Sequence, residues 1–507
     1  MGIQLAVAPS VKSPGTYLLV NLLAGQSSPG SSTKRALMIA MKASATGTIT
    51  ADTQIERAVA GPDAVGTLLG PGMLGHLAAK ALFAEYGLAQ VDLVSPAEPA
   101  GVPASATITF AAGPPTVAWT VTSKIAGRII QTTWAVGDDD TAGALAHSNA
   151  INAMTADLPV IAVPVAGVIT LTAKADGLWG NDIQLSSVAT DGTTGTVTAS
   201  AAYLAGGTLE FSIANVLLLT PSTEYDLILL CTSNVEAEVC GVGSNPILLQ
   251  TYIEANVSGA SAKLQQMVFG ANKTLAAAKT GTDALNYSRA QMVLCRNGYS
   301  LPAEWAGAEL GSRLREESID AAANRIEMLY RATLYTVSDL SSQALTDVEV
   351  EDALNNGITP VTFDGSGNPR PARPITTYHL DASTNPDFRN LDTSRVTGTD
   401  AVAKDIRVTL PLQFAGAKLS EDLPATGGEL PPGFVEIKEI KSFINGRMRA
   451  WISLGVVGQA DYEEAYENGS FLVRVNPSDA SQCDIVIPMN VVPPLAKFSL
   501  VVQYTGP

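Results

Sequence analysis

The sequence predicts a multidomain protein of mixed α/β and α+β class: a doubly wound α/β core, a β-rich insertion and extended arms at both ends. Three observations lead there. The chain has 507 residues, more than one hydrophobic core accommodates, so roughly two to four domains are expected. Strand and helix patterns alternate before Pro99 and again after Gly207, with a Thr-, Val-, Ala- and Gly-rich stretch of period-two alternation between them. Each terminus carries a strand pattern with no sequence neighbour to pair with.

Residues 1–32 read as an arm, interrupted by Pro9, Pro14 and Pro29. Within it Thr16, Leu18, Val20 and Leu22 share one face of a strand, and Tyr17, Leu19, Asn21 and Leu23 the other. Residues 35–40 read as a buried strand, 72–86 as a helix with Leu74, Leu77, Ala81 and Leu82 at helical spacing, and 90–94 as a second strand. Together they suggest a parallel unit. In the insertion, residues 107–110, 117–121 and 169–172 are strand candidates. One helix is expected near residues 141–156, with Asp138, Asp139 and Asp140 as a solvated turn and cap. The α/β pattern resumes with strands at 226–231, 263–269 and 290–294 and a helix at 247–259. Residues 304–336 are the strongest helical stretch. Leu310, Leu314, Ile326 and Leu329 form its apolar stripe, and Arg313/Glu317 and Glu327/Arg331 its i,i+4 pairs. From about Asp392 the pattern is α+β, with strands at 471–475 and 484–488. A last strand alternates Phe498, Leu500, Val502 and Tyr504 with Ser499, Val501 and Gln503.

Composition narrows the function. Lys and Arg number 31 against 48 Asp and Glu, a net charge of −17, which argues against a protein built to grip nucleic-acid phosphates. Charged residues make up 16% of the chain, against about 25% in ordinary soluble domains, and mean hydropathy is +0.19. A surface this poor in charge is expected to be covered by membrane, by a partner or by copies of itself. The longest apolar runs, residues 216–219 and 227–230, fall far short of the roughly 20 residues of a spanning helix. Residues 1–6 lack the regions of a signal peptide and the myristoylation pattern. Self-assembly is the expectation left. Cys231, Cys240, Cys295 and Cys483 are scattered, with no C-x-x-C, which supports neither a disulfide framework nor a zinc knuckle and fits a reducing compartment.

Residues that could carry chemistry were weighed against plainer roles. Gly70-Pro71-Gly72-Met73-Leu74-Gly75 matches G-x-G-x-x-G literally, but no clear strand precedes it, and a loop-to-helix turn is the plainer reading. Residues 25–30 begin like a phosphate-binding loop, but Ser31 stands where its Lys must be. His76, His147 and His379 have no G-x-S-x-G elbow to serve, and read as packed or solvated. No carboxylate spacing singles out an acid–base pair. Asp138–Asp140 lacks the spacing of a calcium loop. No cofactor and no metal are expected.

Four stretches then point to a family. Pro14-Gly15-Thr16-Tyr17-Leu18-Leu19-Val20-Asn21 resembles the P-G-x-Y-x-x-x-N/D entry of contractile tail sheath proteins, in particular the phage Mu-type sheath family. Residues 171–183, L-T-A-K-A-D-G-L-W-G-N-D-I, resemble the sheath signature A-K-x-x-G-x-W-G-N-D-I. Asn355-Asn356-Gly357-Ile358 resembles a turn of the family, and Arg373-Pro374-Ile375-Thr376-Thr377-Tyr378 the R-x-I-T-T-Y strand after it.

The resemblance implies a structural protein and not an enzyme. It implies a core of the sheath "subtilisin-like" type and subunits stacked as hexameric rings in a helical polymer around a tail tube protein. Baseplate and tail terminator proteins would be further partners, with no direct nucleic-acid contact and no membrane insertion. The place implied is the virion tail, assembled in the host cytoplasm. It divides the chain into an N-terminal arm (1–32), the first part of the core (33–98), the insertion (99–207), the second part of the core (208–391), a C-terminal polymerisation domain (392–494) and a C-terminal arm (495–507). In the family the arms add strands to a neighbour's sheet, main-chain hydrogen bonds giving the affinity. Thr16, Tyr17, Leu18, Val20 and Leu22, with Phe498, Leu500, Val502 and Tyr504, would be the donors. Phe471, Val473, Val475, Ile485 and Ile487 would lie on the acceptor strands, and Glu463 and Glu464 would face the tube. Contraction would draw its free energy from new burial between subunits, at about 25 cal/mol per Å². A non-contractile tube or capsid component, or an α/β hydrolase with an unrecognised site, are the alternatives carried forward.

Overall fold

The computed structural model describes residues 34–189, 196–220, 223–257, 263–316, 330–335, 344–389, 391–414, 416–420, 434–476 and 479–492. The described residues divide into two compact units, 34–400 and 401–492. The donor segments around residues 16–22 and 498–504 lie outside the described residues.

The larger unit opens with β1 (Arg35–Ile39), β2 (Ile55–Glu56), α1 (Pro62–Leu69), α2 (Leu74–Glu85) and β3 (Gln90–Val94). The insertion follows: β4 (Ser105–Ala111), β5 (Trp119–Ile125), β6 (Arg128–Trp134), α3 (Asp140–Ala153), β7 (Val160–Val165), β8 (Val168–Ala173), a 3-10 turn (Leu178–Asp182), β9 (Leu185–Ala189) and β10 (Thr196–Ala199). The chain returns through α4 (Ala214–Leu217), β11 (Leu227–Leu230), α5 (Asn234–Val239), α6 (Asn245–Val257), β12 (Gln266–Ala271), α7 (Leu275–Leu285), β13 (Ala290–Leu294), α8 (Pro302–Glu316), α9 (Asp347–Asn355), β14 (Ile358–Phe363) and β15 (Pro369–Pro371).

Eight strands form the core sheet in the order β15-β14-β13-β12-β11-β1-β3-β2. The six from β14 to β3 are parallel, and β15 and β2 close the edges antiparallel. Every residue of β11, β12 and β13 is buried, as strands covered by helices on both faces must be. That is why β11 reads as a continuous apolar run, and why the polar residues Gln266 of β12 and Gln291 of β13 are buried with it. The strand order reverses between β1 and β11, which makes the carboxyl ends of those strands the switch point of a doubly wound sheet. On one face α2 and α8 meet closely. A Cβ on Gly307 would stand 2.4 Å from the Ala78 carbonyl oxygen, and one on Gly311 2.5 Å from that of Leu82.

The insertion builds two antiparallel sheets, β10-β4-β8-β7 and β6-β5-β9. Helix α3 starts where the aspartates predict a cap: Asp139 Oδ1 accepts the Ala142 N–H at 2.7 Å. Trp134, fully buried, stacks edge-on against Phe110 and Trp119 at centroid distances of 5.2 and 5.7 Å.

Three expectations are corrected. Of the helix read over 304–336, Pro302–Glu316 is helical and residues 330–335 are not, while residues 317–329, with Glu317, Ile326, Glu327 and Leu329, lie outside the described residues. Buried Glu85 on α2 takes the backbone N–H groups of Arg331 and Ala332, the latter at 2.8 Å, and the Tyr330 hydroxyl donates to Glu309 Oε2 at 2.7 Å. These long-range partners hold the backbone out of the helix. Arg313, read as the i,i+4 partner of Glu317, is fully buried and donates to Gln291 Oε1 at 3.0 Å and Gln266 Oε1 at 2.8 Å. The 373–378 segment, read as a strand, makes only the single bridge Ile375 to Asp392. Its polar groups are taken individually, Arg373 by Asp392 at 2.6 and 2.8 Å and the Ile375 N–H by Thr359 Oγ1 at 3.0 Å.

Helix α10 (Thr393–Gln413) carries the division between the units. Beyond it come β16 (Lys418–Ser420), β17 (Phe434–Glu436), α11 (Ile437–Ser453), α12 (Gln459–Glu467), β18 (Leu472–Asn476) and β19 (Asp479–Val486). Ile440, Ile444, Met448 and Trp451 give α11 its buried stripe at helical spacing. Arg447, also buried, pairs with Asp405, whose Oδ2 additionally accepts the Trp451 indole N–H at 2.9 Å.

Candidate functional site

Lys174, Asn181 and Asp182 of residues 171–183 each tie the insertion to its surroundings, and Asp182 reaches the helix that follows β11 at the switch point. Lys174 Nζ donates to the Pro71 carbonyl at 2.7 Å and to Thr155 Oγ1 at 3.1 Å, tying β8 to the loop before α2; burial lowers its pKa to about 8. Gly177 has φ +121°, a conformation L side chains rarely adopt. Trp179 is buried and donates to the Asp176 carbonyl at 3.2 Å. A Cβ on Gly180 would lie 2.8 Å from that of Ala104 and 2.9 Å from that of Ala173. Asn181 staples the exit of the insertion, donating to the Gly207 carbonyl at 3.0 Å and accepting the Gly207 N–H at 2.9 Å.

Asp182 completes the set. Its Oδ2 accepts the N–H of Asn234, the first residue of α5, at 2.8 Å, and its Oδ1 lies 3.2 Å from Lys273 Nζ. Burial drives its pKa up and the Lys273 ammonium opposes that rise. Asn234 and Asn272, both buried, exchange hydrogen bonds, and Asn272 Nδ2 reaches the carbonyls of Gly298 and Ser300 at 3.1 and 2.9 Å. Beside this network Glu210 Oε2 accepts the hydroxyl of Ser233, the α5 N-cap, at 2.5 Å, and burial pushes its pKa up to about 8. A helix N-terminus at the switch point is where doubly wound proteins seat an anionic ligand. Here the chain's own carboxylate sits there.

The other candidates resolve as structural parts. The G-x-G-x-x-G stretch joins α1 to α2 and follows a helix, not a strand. His76 Nδ1 accepts the Gly72 N–H at 2.8 Å. His147 lies between the hydroxyls of Ser123 and Thr132, each at 2.7 Å; burial lowers both imidazoles to about 4. His379 bridges the Thr377 carbonyl and Asp283 Oδ1, each at 2.9 Å. A cleft of about 380 Å³ between insertion and core is lined by Lys124, Gln184, Ser186, Tyr203, Asn297 and Tyr299, a set with no carboxylate.

In the smaller unit, β18 and β19 pair antiparallel, Val473 opposite Ile485 and Val475 opposite Cys483. Among the described residues this sheet has two strands. Phe471 is buried, with the rings of Tyr462 and Tyr466 at 6.1 and 5.6 Å and Lys441 Nζ 5.3 Å from its centroid. Val473 is buried, and Val475, Ile485 and Ile487 are half-buried. Glu463 and Glu464 lie on α12; Glu463 is half-buried and accepts from Gln459 at 3.0 Å, and Glu464 is exposed.

No family model and no curated protein matches the chain. Among solved structures it is similar to a sheath tail protein of Listeria innocua, with TM-score 0.40 and 13% identity over 85% of this chain and 87% of that one. It is similar to a sheath tail protein of Desulfitobacterium hafniense, with TM-score 0.42 and 14% identity over 94% of this chain and 100% of that one. It is also similar to the PVC sheath complex of an extracellular contractile injection system in its contracted state, with TM-score 0.46 and 10% identity over 98% of each chain.

Proposed function

We propose that this chain is the structural subunit of a contractile tail sheath, of a phage tail or a phage-like injection apparatus. It polymerises as stacked hexameric rings around a tail tube protein and contracts to drive that tube forward. Baseplate and terminator proteins cap the polymer. The finer kinship of its core with the subtilisin-like sheath type belongs to the same proposal.

The observation that carries the reading is the two-stranded sheet of β18 and β19. A lone two-stranded ribbon is marginally stable and leaves rows of N–H and C=O groups at its edges. The chain supplies two strand-patterned segments, residues 16–22 and 498–504, of matching length. Received from neighbouring copies, they would complete the sheet by β-augmentation. The core gives further support: its switch point is filled by Asp182, which leaves the α/β sheet as a scaffold.

Electron microscopy of the purified protein tests this. The full chain is expected to form hollow helical tubes. The chain lacking residues 1–23 is expected to stay a folded monomer. Polymers of a single fixed diameter under all conditions would favour a non-contractile tube instead.

A further inference from the structure

Strand β7 is the outermost strand of its sheet, and its sequence, V-I-A-V-P-V, is rich in residues that favour pairing. Ile161, Val163 and Val165 stand 49%, 52% and 65% exposed on one face. An apolar edge of this kind invites a foreign strand. The register fixes which peptide groups are available. Residues 161, 163 and 165 face β8, as does Pro159, whose carbonyl accepts the Lys174 N–H at 3.1 Å; residues 160, 162 and 164 point their peptide groups away from the sheet.

Two of those three outward positions are closed. Asn152, an exposed residue on α3, lays its amide along the edge: Nδ2 donates to the Ala162 carbonyl at 2.8 Å, and Oδ1 accepts the Ala162 N–H at 3.0 Å. A primary amide offers one donor and one acceptor side by side, as a peptide unit of an adjacent strand does. Two residues on, Pro164 has no N–H to offer. One of the two outer strands of the core sheet carries a similar device, since β15 spans three residues and two are Pro369 and Pro371. Strands β18 and β19 contain no proline.

We propose that Asn152 and Pro164 guard the β7 edge against strands donated by a second copy of this chain, so that exchange is directed to the β18–β19 sheet. The proposal rests on the reading of the termini as donor strands. A guard of this kind matters in a crowded polymer, where every subunit is surrounded by donor segments.

The test uses the full chain, its Asn152→Ala/Pro164→Val double variant and a synthetic peptide of residues 14–24, read by hydrogen exchange. In the unaltered chain the peptide is expected to protect 472–486 and leave 160–165 unchanged. In the double variant, exchange at 160–165 is expected to slow roughly tenfold or more on peptide addition. If 160–165 stays as exchangeable as in the unaltered chain while 472–486 is protected, the guard is wrong and the donor-strand reading stands. Protection at neither segment in either protein overturns both. If the double variant does not fold, Asn152→Ala alone decides, because it truncates an exposed side chain: protection at Val160 and Ala162 supports the guard, and its absence contradicts it.

Discussion

Asp182 Oδ2 accepts the backbone N–H of Asn234 at 2.8 Å, so a residue of the insertion caps the helix that leaves the core strand β11. The contact explains two facts at once. It docks the insertion on the core through a helix N-terminus, where a negative charge is favoured. It also occupies the position at which a doubly wound sheet would present an anionic ligand.

Replacing Asp182 by Ala is expected to destabilise the fold by about 3 kcal/mol, because it leaves a buried N–H and the Lys273 ammonium without their partner. Asp182→Asn, which keeps an acceptor at the same place, is expected to cost less. Urea denaturation of both variants checks this; equal, negligible losses would show that the docking does not depend on the carboxylate.

A second tie joins β6 to α8. Arg128 and Glu304, with side chains 7% and 3% exposed, form a buried ion pair, and the Arg128 guanidinium also lies 4.8 Å from the Tyr335 ring centroid. Glu304→Ala is expected to cost about 3–5 kcal/mol by stranding the guanidinium. Changing both partners to apolar residues is expected to recover part of that loss, and thermal unfolding of the single and double variants measures the difference.

Glu210 gives the same region a pH dependence of known sign. The folded chain holds its proton to about pH 8, whereas the group unperturbed releases it near 4.5. Between those values the folded state binds more protons than the unfolded state, so this group's contribution to stability is complete in acid and declines as pH rises to about 8. The charged groups that act on it, Glu236 and Asp182, are both carboxylates and push its pKa the same way. Glu210→Gln is expected to remove a slope of up to about 1.4 kcal/mol per pH unit from urea midpoints taken between about pH 5 and about pH 8. An unchanged slope would assign the dependence elsewhere.

How much of this was legible in the sequence depended on the range of the interaction. Local signals were reliable: the aspartate cap of α3, the all-apolar strand β11, and the missing strand before Gly70. Partners far along the chain were not. Nothing near Arg331 announces that Glu85 takes its N–H, so a helical pattern was extended over residues 330–335, which are not helical. Arg313 reads as an i,i+4 partner of Glu317, yet strands β12 and β13 supply Gln266 and Gln291 to hold it in the core. The G-x-W-G-N-D-I stretch stood out only by resemblance. Its physical content, Gly180 against Ala104 and Ala173 and Asp182 on α5, is tertiary. Asn152 gave no signal at all, since an asparagine on an exposed helix face looks the same whether or not a strand edge lies beside it.

Under the proposed function, terminal segments complete a sheet in another copy. An equimolar mixture of unlabelled and nitrogen-15-labelled chain, assembled together, cross-linked between amines and carboxylates and digested for mass spectrometry, tests that most directly. The account predicts mixed-isotope pairs joining Lys12 or Lys497 to carboxylates within 472–486. Pairs found only within one isotope would place both ends in their own subunit and contradict it.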